Sequence, residues 1–317
     1  METENRGSGI RKEFTIPSVG VGRLHCCRWT PAGEIRAVVQ IIHGIAEFIE
    51  RYDDFAGYLN SLGFLVVAED HMGHGQSVGK EGIQGYFHGG WFAAVEDSVN
   101  LLRQTREEYP DVPYILFGHS MGSFMTRTIL AKYPDTGITA AVICGTGWQP
   151  RALLPVAIRV CQAVCSRVGE QNPSPWLQNL VFGGYNAHVE HPRTEYDWLT
   201  RDKNMVDAYI AHPSCGFTAS SGLLRELLKG ILYVEQPENL GRMKKDLPVL
   251  FVAGGEDPVG SYGKGVTKAA EEFKKAGMQD VQLRLFPLCR HEILNEINRQ
   301  EIYEFISGWM ESKASLG

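Results

Sequence analysis

Six short apolar runs, each too brief for a typical helix and bounded by glycine, proline or charge, constrain this chain more than any other feature. They are AVVQIIHG (37–44), FLVVAED (64–70), YILFGHS (114–120), AAVICGTG (140–147), LPVLFVAGGED (247–257) and VQLRLFPLCRH (281–291). Continuous apolarity over so few residues is the pattern of strands buried on both faces. Amphipathic helical patterns fall between them, at 49–62, 91–109, 121–134, 263–276 and 296–312. Strand alternating with helix predicts an α/β fold with a mostly parallel central sheet covered on both faces. Two earlier runs, KEFTIPS and RLHCCRWTP, read as an antiparallel edge.

The alternation lapses between Gly147 and about Ile231. A stretch of roughly eighty residues is far too long for an ordinary connection. It opens with RALLPVAIRVCQAVCSRV, apolar at helical spacing, and then carries Pro173, Pro175, Pro192 and Pro213, which divide the remainder into short helices. The expected organisation is one core domain, residues 1–147 and 231–317, with a helical cap, 148–230, inserted over the carboxyl ends of the strands. Ligands bind at that edge of a parallel sheet.

Ser120 sits at the same edge. It follows the strand YILF, precedes the helical MGSFMTRTILAKY, and lies between Gly118 and Gly122. A Gly-x-Ser-x-Gly in that context is a nucleophile elbow, where a sharp turn lifts the hydroxyl above the sheet. A serine hydroxyl needs a base. In this architecture the carboxylate and histidine follow in that order, each after a later strand. Asp257, after VLFVAGGE and before Pro258, and His291, closing the last apolar run, occupy those places. Glu256 offers a second carboxylate, but the position before Pro258 favours Asp257. An oxyanion formed on Ser120 needs two donors. The backbone N–H of Met121, after the nucleophile, is one. The N–H of Ile45 in the HGIAE loop after the first buried strand is the other.

Other chemistries find less support. DHMGHGQS (70–77) lacks the glutamate of a helical zinc motif and reads as a tight loop ordering the sheet edge. His25 beside Cys26 and Cys27 lies in a strand, where neighbours alternate between faces. The seven cysteines form no Cys-x-x-Cys pair, and they and a polar N-terminus suggest a cytoplasmic protein. A net charge of −6 argues against a nucleic-acid partner. No cofactor or metal is expected, and the sequence is silent on oligomeric state.

Taken in order, HGIAEFIERYDDFAGYLNSLGF, DHMGHGQS, GHSMGS, GEDPVG and RHEILNE resemble the monoacylglycerol lipase and lysophospholipase-like serine hydrolases of the α/β-hydrolase superfamily. The resemblance spans all but the first dozen residues. It implies an α/β-hydrolase fold with a cap, Ser120 as nucleophile, Asp257 and His291 as its partners, and the Ile45 and Met121 amides as oxyanion hole. It also implies a small, lipid-like ester substrate of the monoacylglycerol or lysophospholipid kind. The lid sequence FGGYNAHVEHPRTEYDWLTRD carries no substrate code.

The expected function is therefore hydrolysis of a carboxylic ester through an acyl-serine. Leu153, Leu154, Val156, Ile158 and Val160 of the cap either wall an acyl tunnel or simply pack on the core; if exposed, they would dock on a membrane surface. The alternatives are an aminopeptidase, with Glu190 or Glu195 receiving the substrate amine, an acyltransferase, or a binding protein that kept the fold without the activity.

Overall fold

The structure, a computed structural model, describes residues 2–4, 9–79 and 82–314. Nine strands form one sheet. They are β1 (Glu2–Glu4), β2 (Ile10–Pro17), β3 (Arg23–Thr30), β4 (Ala37–Ile42), β5 (Phe64–Glu69), β6 (Tyr114–His119), β7 (Ala140–Cys144), β8 (Val249–Gly254) and β9 (Val281–Phe286). Their spatial order is β1-β2-β3-β5-β4-β6-β7-β8-β9. The first three are antiparallel, and β5, β4, β6, β7, β8 and β9 run parallel. This is the mostly parallel sheet that the apolar runs predicted, antiparallel edge included, and the α/β-hydrolase architecture that the resemblance implied.

Helices cover both faces: α1 (Asp53–Ser61), α2 (Gly90–Glu108), α3 (Met121–Lys132), α4 (Leu154–Val168), α5 (Pro175–Phe182), α6 (Lys203–Ala211), α7 (Ser221–Val234), α8 (Pro237–Arg242), α9 (Lys264–Lys275) and α10 (Arg299–Ala314). Strand alternation feeds two separate cores. Val38, Tyr114 and Leu116 point to the layer of α2, α3, α7 and α9, while Val39, Ile115 and Phe117 point to that of α1 and α10. Every residue of β4, β5, β6, β7 and β8 is buried, which explains why they are apolar but for Gln40, Glu69 and His119, each of them hydrogen-bonded.

The strands stop short of the apolar runs that announced them. β8 ends at Gly254 and β9 at Phe286, so neither Asp257 nor His291 belongs to a strand, and His291 does not close the last one. Pro287 has no N–H to continue the ladder, and the chain turns out over the sheet edge. Between β7 and β8 the chain builds α4 to α8. Helix α4 buries a stripe of Leu154, Cys161 and Cys165 and packs on α7, which in turn lies on α2 and α3.

Glycine 122 is fixed by space. A Cβ there would lie 1.9 Å from the Ile42 carbonyl oxygen, because α3 enters directly against the end of β4. Gly308, exposed in the interior of α10, would meet nothing within 4 Å. Gly122→Ala should therefore destabilise by at least about 1–3 kcal/mol, as overpacking does, whereas Gly308→Ala should stabilise by about 0.5–1 kcal/mol through helix propensity. Urea unfolding of the two variants reads both signs, and a neutral Gly122→Ala would contradict the packing of the elbow.

Candidate active site

At the elbow β6 ends on His119 and α3 begins at Met121, leaving Ser120 alone in the turn with φ 53° and ψ −120°. A non-glycine residue there carries strain of about 1–3 kcal/mol and persists only where its surroundings hold it. They do so on both sides. The Ser120 N–H donates to the Cys144 carbonyl at 3.0 Å, and its carbonyl accepts from the Ser123 N–H at 2.9 Å and the Ser123 hydroxyl at 2.6 Å. Gly118 supplies the remaining room, since a Cβ there would come within 2.2 Å of Thr126 Oγ1 and 2.4 Å of the Gly122 carbonyl oxygen.

His291 hangs over the same edge from the loop after β9. Its Nδ1 lies 3.0 Å from both oxygens of Asp257, in the loop after β8, and Asp257 Oδ1 also accepts from the Val259 N–H at 2.9 Å. Asp257 is wholly buried, while Glu256, the other carboxylate considered, is exposed. A carboxylate on Nδ1 sets the imidazole so that Nε2 is the nitrogen free to accept a proton. The ring packs between His119 and Trp198, with centroids 4.8 and 5.1 Å away. Gly145, at φ 59°, gives it space: a Cβ there would sit 3.1 Å from His291 Cε1.

Ile45 lies in the loop after β4, and Met121 opens α3. Among the described residues neither amide has a hydrogen-bond acceptor. The loop passes close to the elbow, as a Cβ on Gly44 would be 3.0 Å from Ser120 Cβ. Its shape is held from below by His43. The His71 N–H donates to His43 Nε2 at 3.0 Å, so the proton resides on Nδ1, which donates to the Gly44 carbonyl at 2.7 Å. Complete burial, with His71 and His74 nearby, keeps this ring neutral by pushing its pKa well down. From above, the Ala46 carbonyl accepts from the Tyr209 hydroxyl at 3.0 Å and the Gly216 N–H at 3.1 Å.

One group joins these loops and was not singled out from the sequence. Glu47 Oε1 accepts from the Gly44 N–H at 2.6 Å, His119 Nδ1 at 3.0 Å and the Tyr52 hydroxyl at 3.0 Å. Its Oε2 accepts from Arg51 Nη1 at 3.0 Å, and Arg51 makes a two-pronged pair with Glu292 at 2.5 and 2.7 Å. Burial alone would raise both carboxyls, but the His119 bond on Glu47 and the Arg51 charge on Glu292 outweigh it and hold both below the usual range. His119 behaves oppositely. Burial disfavours its charge, yet the bond to Glu47 wins and lifts its pKa. The available signal was Glu47 and Arg51, opposite charges at i, i+4 directly after the first buried strand. Glu292, distant in sequence, gave none.

Ser120, His291, Ile45 and Glu47 share a cavity of about 440 Å³. Its outer wall comes from between β7 and β8, with Gln178, Phe182, Glu195 and Phe217 among the lining residues. None of Leu153, Leu154, Val156, Ile158 and Val160 reaches it. Leu154 is buried and Val160 packs against the core while Leu153 and Val156 are exposed, which favours core packing for this segment over walling this cavity. Helix α4 turns its buried stripe to α7, away from the sheet edge. Glu195 lines the cavity and Glu190 does not. Asp70, His71 and His74 are tied into the loop beneath. Asp70 accepts from the Ile49 and Gln76 N–H groups, each at 2.9 Å, and from His25.

Comparisons with known proteins agree with this architecture. The family model described as serine aminopeptidase, S33, matches residues 33–298. A monoacylglycerol lipase of Mycolicibacterium smegmatis is 29% identical over 96% of this chain and 99% of its own. A human monoglyceride lipase is 26% identical over 92% of this chain and 88% of its own. A thermostable carboxyl esterase of Bacillus coagulans, solved with glycerol, superposes with a TM-score of 0.89 at 28% identity, covering 96% of this chain and 99% of that one.

The charge network gives stability a pH window. A lowered carboxyl contributes stability above about pH 4.3, the free Glu value, and loses it as pH falls through the lowered pKa. The raised His119 contributes fully below about pH 6.5 and loses its share as pH climbs through the raised value. Melting temperatures measured from pH 6 to 9 should therefore decline more for the natural protein than for His119→Gln. Parallel profiles would remove His119 from the network.

Proposed function

The chain belongs to the serine aminopeptidase S33 family of α/β-hydrolases and is a carboxylic ester hydrolase; from that premise we propose that it cleaves a monoacylglycerol or lysophospholipid-like ester through an acyl-serine on Ser120. The observation that carries the mechanism is His291, gripped by both oxygens of Asp257 at 3.0 Å, in one cavity with a strained, turn-lifted Ser120. His291 Nε2 takes the Ser120 proton as Oγ attacks the ester carbonyl, and the imidazolium that forms is stabilised by Asp257. The tetrahedral oxyanion is received by the Ile45 and Met121 amides. Each such donor is typically worth about 2.7–4 kcal/mol of transition-state stabilisation. His291 then protonates the departing alcohol, and water attacks the acyl-serine by the same route in reverse order.

Residues 148–230 act as the cap over this cavity. A volume of about 440 Å³ suits a small ester rather than a folded partner. Apolar residues on the cap's outer side, Leu153, Val156, Trp176 and Leu180, are more than half exposed and give it a means of resting on a lipid surface. Among the described residues no helix is long and apolar enough to cross a membrane. The seven unpaired, buried cysteines fit a reducing, cytoplasmic setting.

A second reading, an aminopeptidase on the same three residues, is favoured by one observation: Glu195, an acidic residue that could receive a substrate amine, lines the cavity. The two part company in a simple assay. Hydrolysis of p-nitrophenyl esters from acetate to palmitate should be measured for the natural protein, Ser120→Ala and Asp257→Asn, with alanine p-nitroanilide alongside. The ester reading expects activity rising beyond acetate, its loss with fluorophosphonate labelling in Ser120→Ala, and a fall of about 10⁴ in kcat for Asp257→Asn. Faster anilide cleavage would move the assignment to the peptidase. Ester activity unchanged in Ser120→Ala would overturn the nucleophile.

A further inference from the structure

The ester chemistry makes no use of a polar cluster on the antiparallel edge of the sheet. His25 and Cys27 stand two apart on β3 and so share a face, and the register sets Glu13 of β2 directly across from Cys27. The face is the one that packs toward Ile49 and α1, while Cys26 points into the opposite core. One ligand atom from each of Glu13, His25 and Cys27 lies within 4.8 Å of the other two.

Three features mark this cluster as built to hold something. His25 is only 7% exposed, and its Nε2, 3.8 Å from Glu13 Oε2, has no hydrogen-bond partner. A buried ring nitrogen left so is a cost that a ligand would remove. The other ring nitrogen is already oriented, with Nδ1 3.0 Å from Asp70 Oδ2, the carboxylate–histidine arrangement that fixes a metal-binding imidazole. Arg11 Nη1 donates to Glu13 Oε1 at 2.8 Å, which pins the carboxylate and leaves Oε2 turned to His25. Acidic side chains stand around the cluster: Glu13, Glu50 and Asp53 lie within 2.8–3.5 Å of the Arg11 guanidinium, and Asp70 stands behind His25. Glu50 Oε2 is likewise buried without a hydrogen bond.

We propose that Glu13, His25 and Cys27 bind one transition-metal dication of the zinc class, with the fourth coordination position open to water. Thiolate, imidazole and carboxylate together select zinc over magnesium or calcium, which take oxygen ligands. A tetrahedral ion with bonds of about 2.0–2.3 Å spaces its ligands about 3.3–3.7 Å apart, so binding draws the three side chains in by about an ångström. The Cys27 thiol proton passes to solvent, and the other two ligands bind as carboxylate and neutral imidazole. The ion would clamp β2 to β3 and, through Asp70, to the loop that supports the HGIAE segment. Its role is structural, because none of Glu13, His25 and Cys27 lines the cavity that holds Ser120 and His291.

Cobalt(II) tests this with a signature that a surface ion cannot give. Tag-free, metal-stripped protein should take up one equivalent and develop a thiolate-to-cobalt charge-transfer band, which zinc(II) then displaces. The melting temperature should rise with zinc concentration. Cys27→Ser should lose the band. Glu13→Gln, a half-buried change that the fold tolerates more easily, should bind cobalt about tenfold or more weakly, at least the cost of losing an outer-shell partner, while its p-nitrophenyl ester hydrolysis stays unchanged. Absence of the band at one equivalent, a band surviving in Cys27→Ser, or equal affinity in Glu13→Gln would each overturn the site. If Cys27→Ser does not fold, the Glu13→Gln affinity decides.

Discussion

The carboxylate of Glu47 is the point on which the site depends. One buried side chain accepts from the backbone of the HGIAE loop, from the histidine preceding the elbow serine, from a tyrosine and from an arginine. Through Arg51 and Glu292 it reaches the residue next to His291. Three loops that leave three different strands thus meet on one charge. A group with so many partners in low dielectric is costly to disturb, since losing any one leaves a buried polar atom unpaired. That rigidity is what lets an unfavourable Ser120 backbone persist, and it fixes where the Ile45 amide stands relative to the elbow.

The segment between β7 and β8 has two physical characters. Its last helices, α7 and α8, are bound into the layer of α2 and α3, and α7 carries a broad buried face. Its first, α4 and α5, bury little and turn apolar side chains outward. Between them, Trp198 and Leu199 offer backbone carbonyls to the N–H groups of His291 and Glu292 at 3.4 and 2.7 Å, and Tyr209 holds Ala46. The stretch between β7 and β8 therefore does more than line the cavity. It supplies backbone acceptors that set the histidine loop, so motion of this stretch would be felt at His291 as well as at the entrance.

Much of the fold was legible because its cause is local. A parallel strand buried on both faces must be apolar throughout, and a covering helix must be apolar on one side; both patterns survive in a single sequence. The elbow was legible for the same reason, since Gly118 and Gly122 answer to steric limits within a few residues. Strand ends were less so. The runs 247–257 and 281–291 were read three to five residues past the ladders, which stop at Gly254 and Phe286, because the buried site residues Asp257, Cys289 and His291 follow so closely. The choice left open for Leu153 to Val160, acyl tunnel or core packing, was illegible for a related reason: amphipathic spacing says that a helix has a buried side, and says nothing of which cavity, if any, that side faces.

The sequence by itself determined the order of strands and helices, the antiparallel edge, the insertion and the residue types at the sheet's carboxyl edge. These follow from short-range periodicity and turn sterics, which any reader of the chain can count. Only the tertiary structure decided which charges share a partner. Glu47 with His119 and Arg51 with Glu292 are pairings across long stretches of chain, and Glu13 meets His25 and Cys27 only through the register of β2 on β3. Their energies depend on burial and on distances of about 3 Å, quantities that arise only when the strands have been laid side by side.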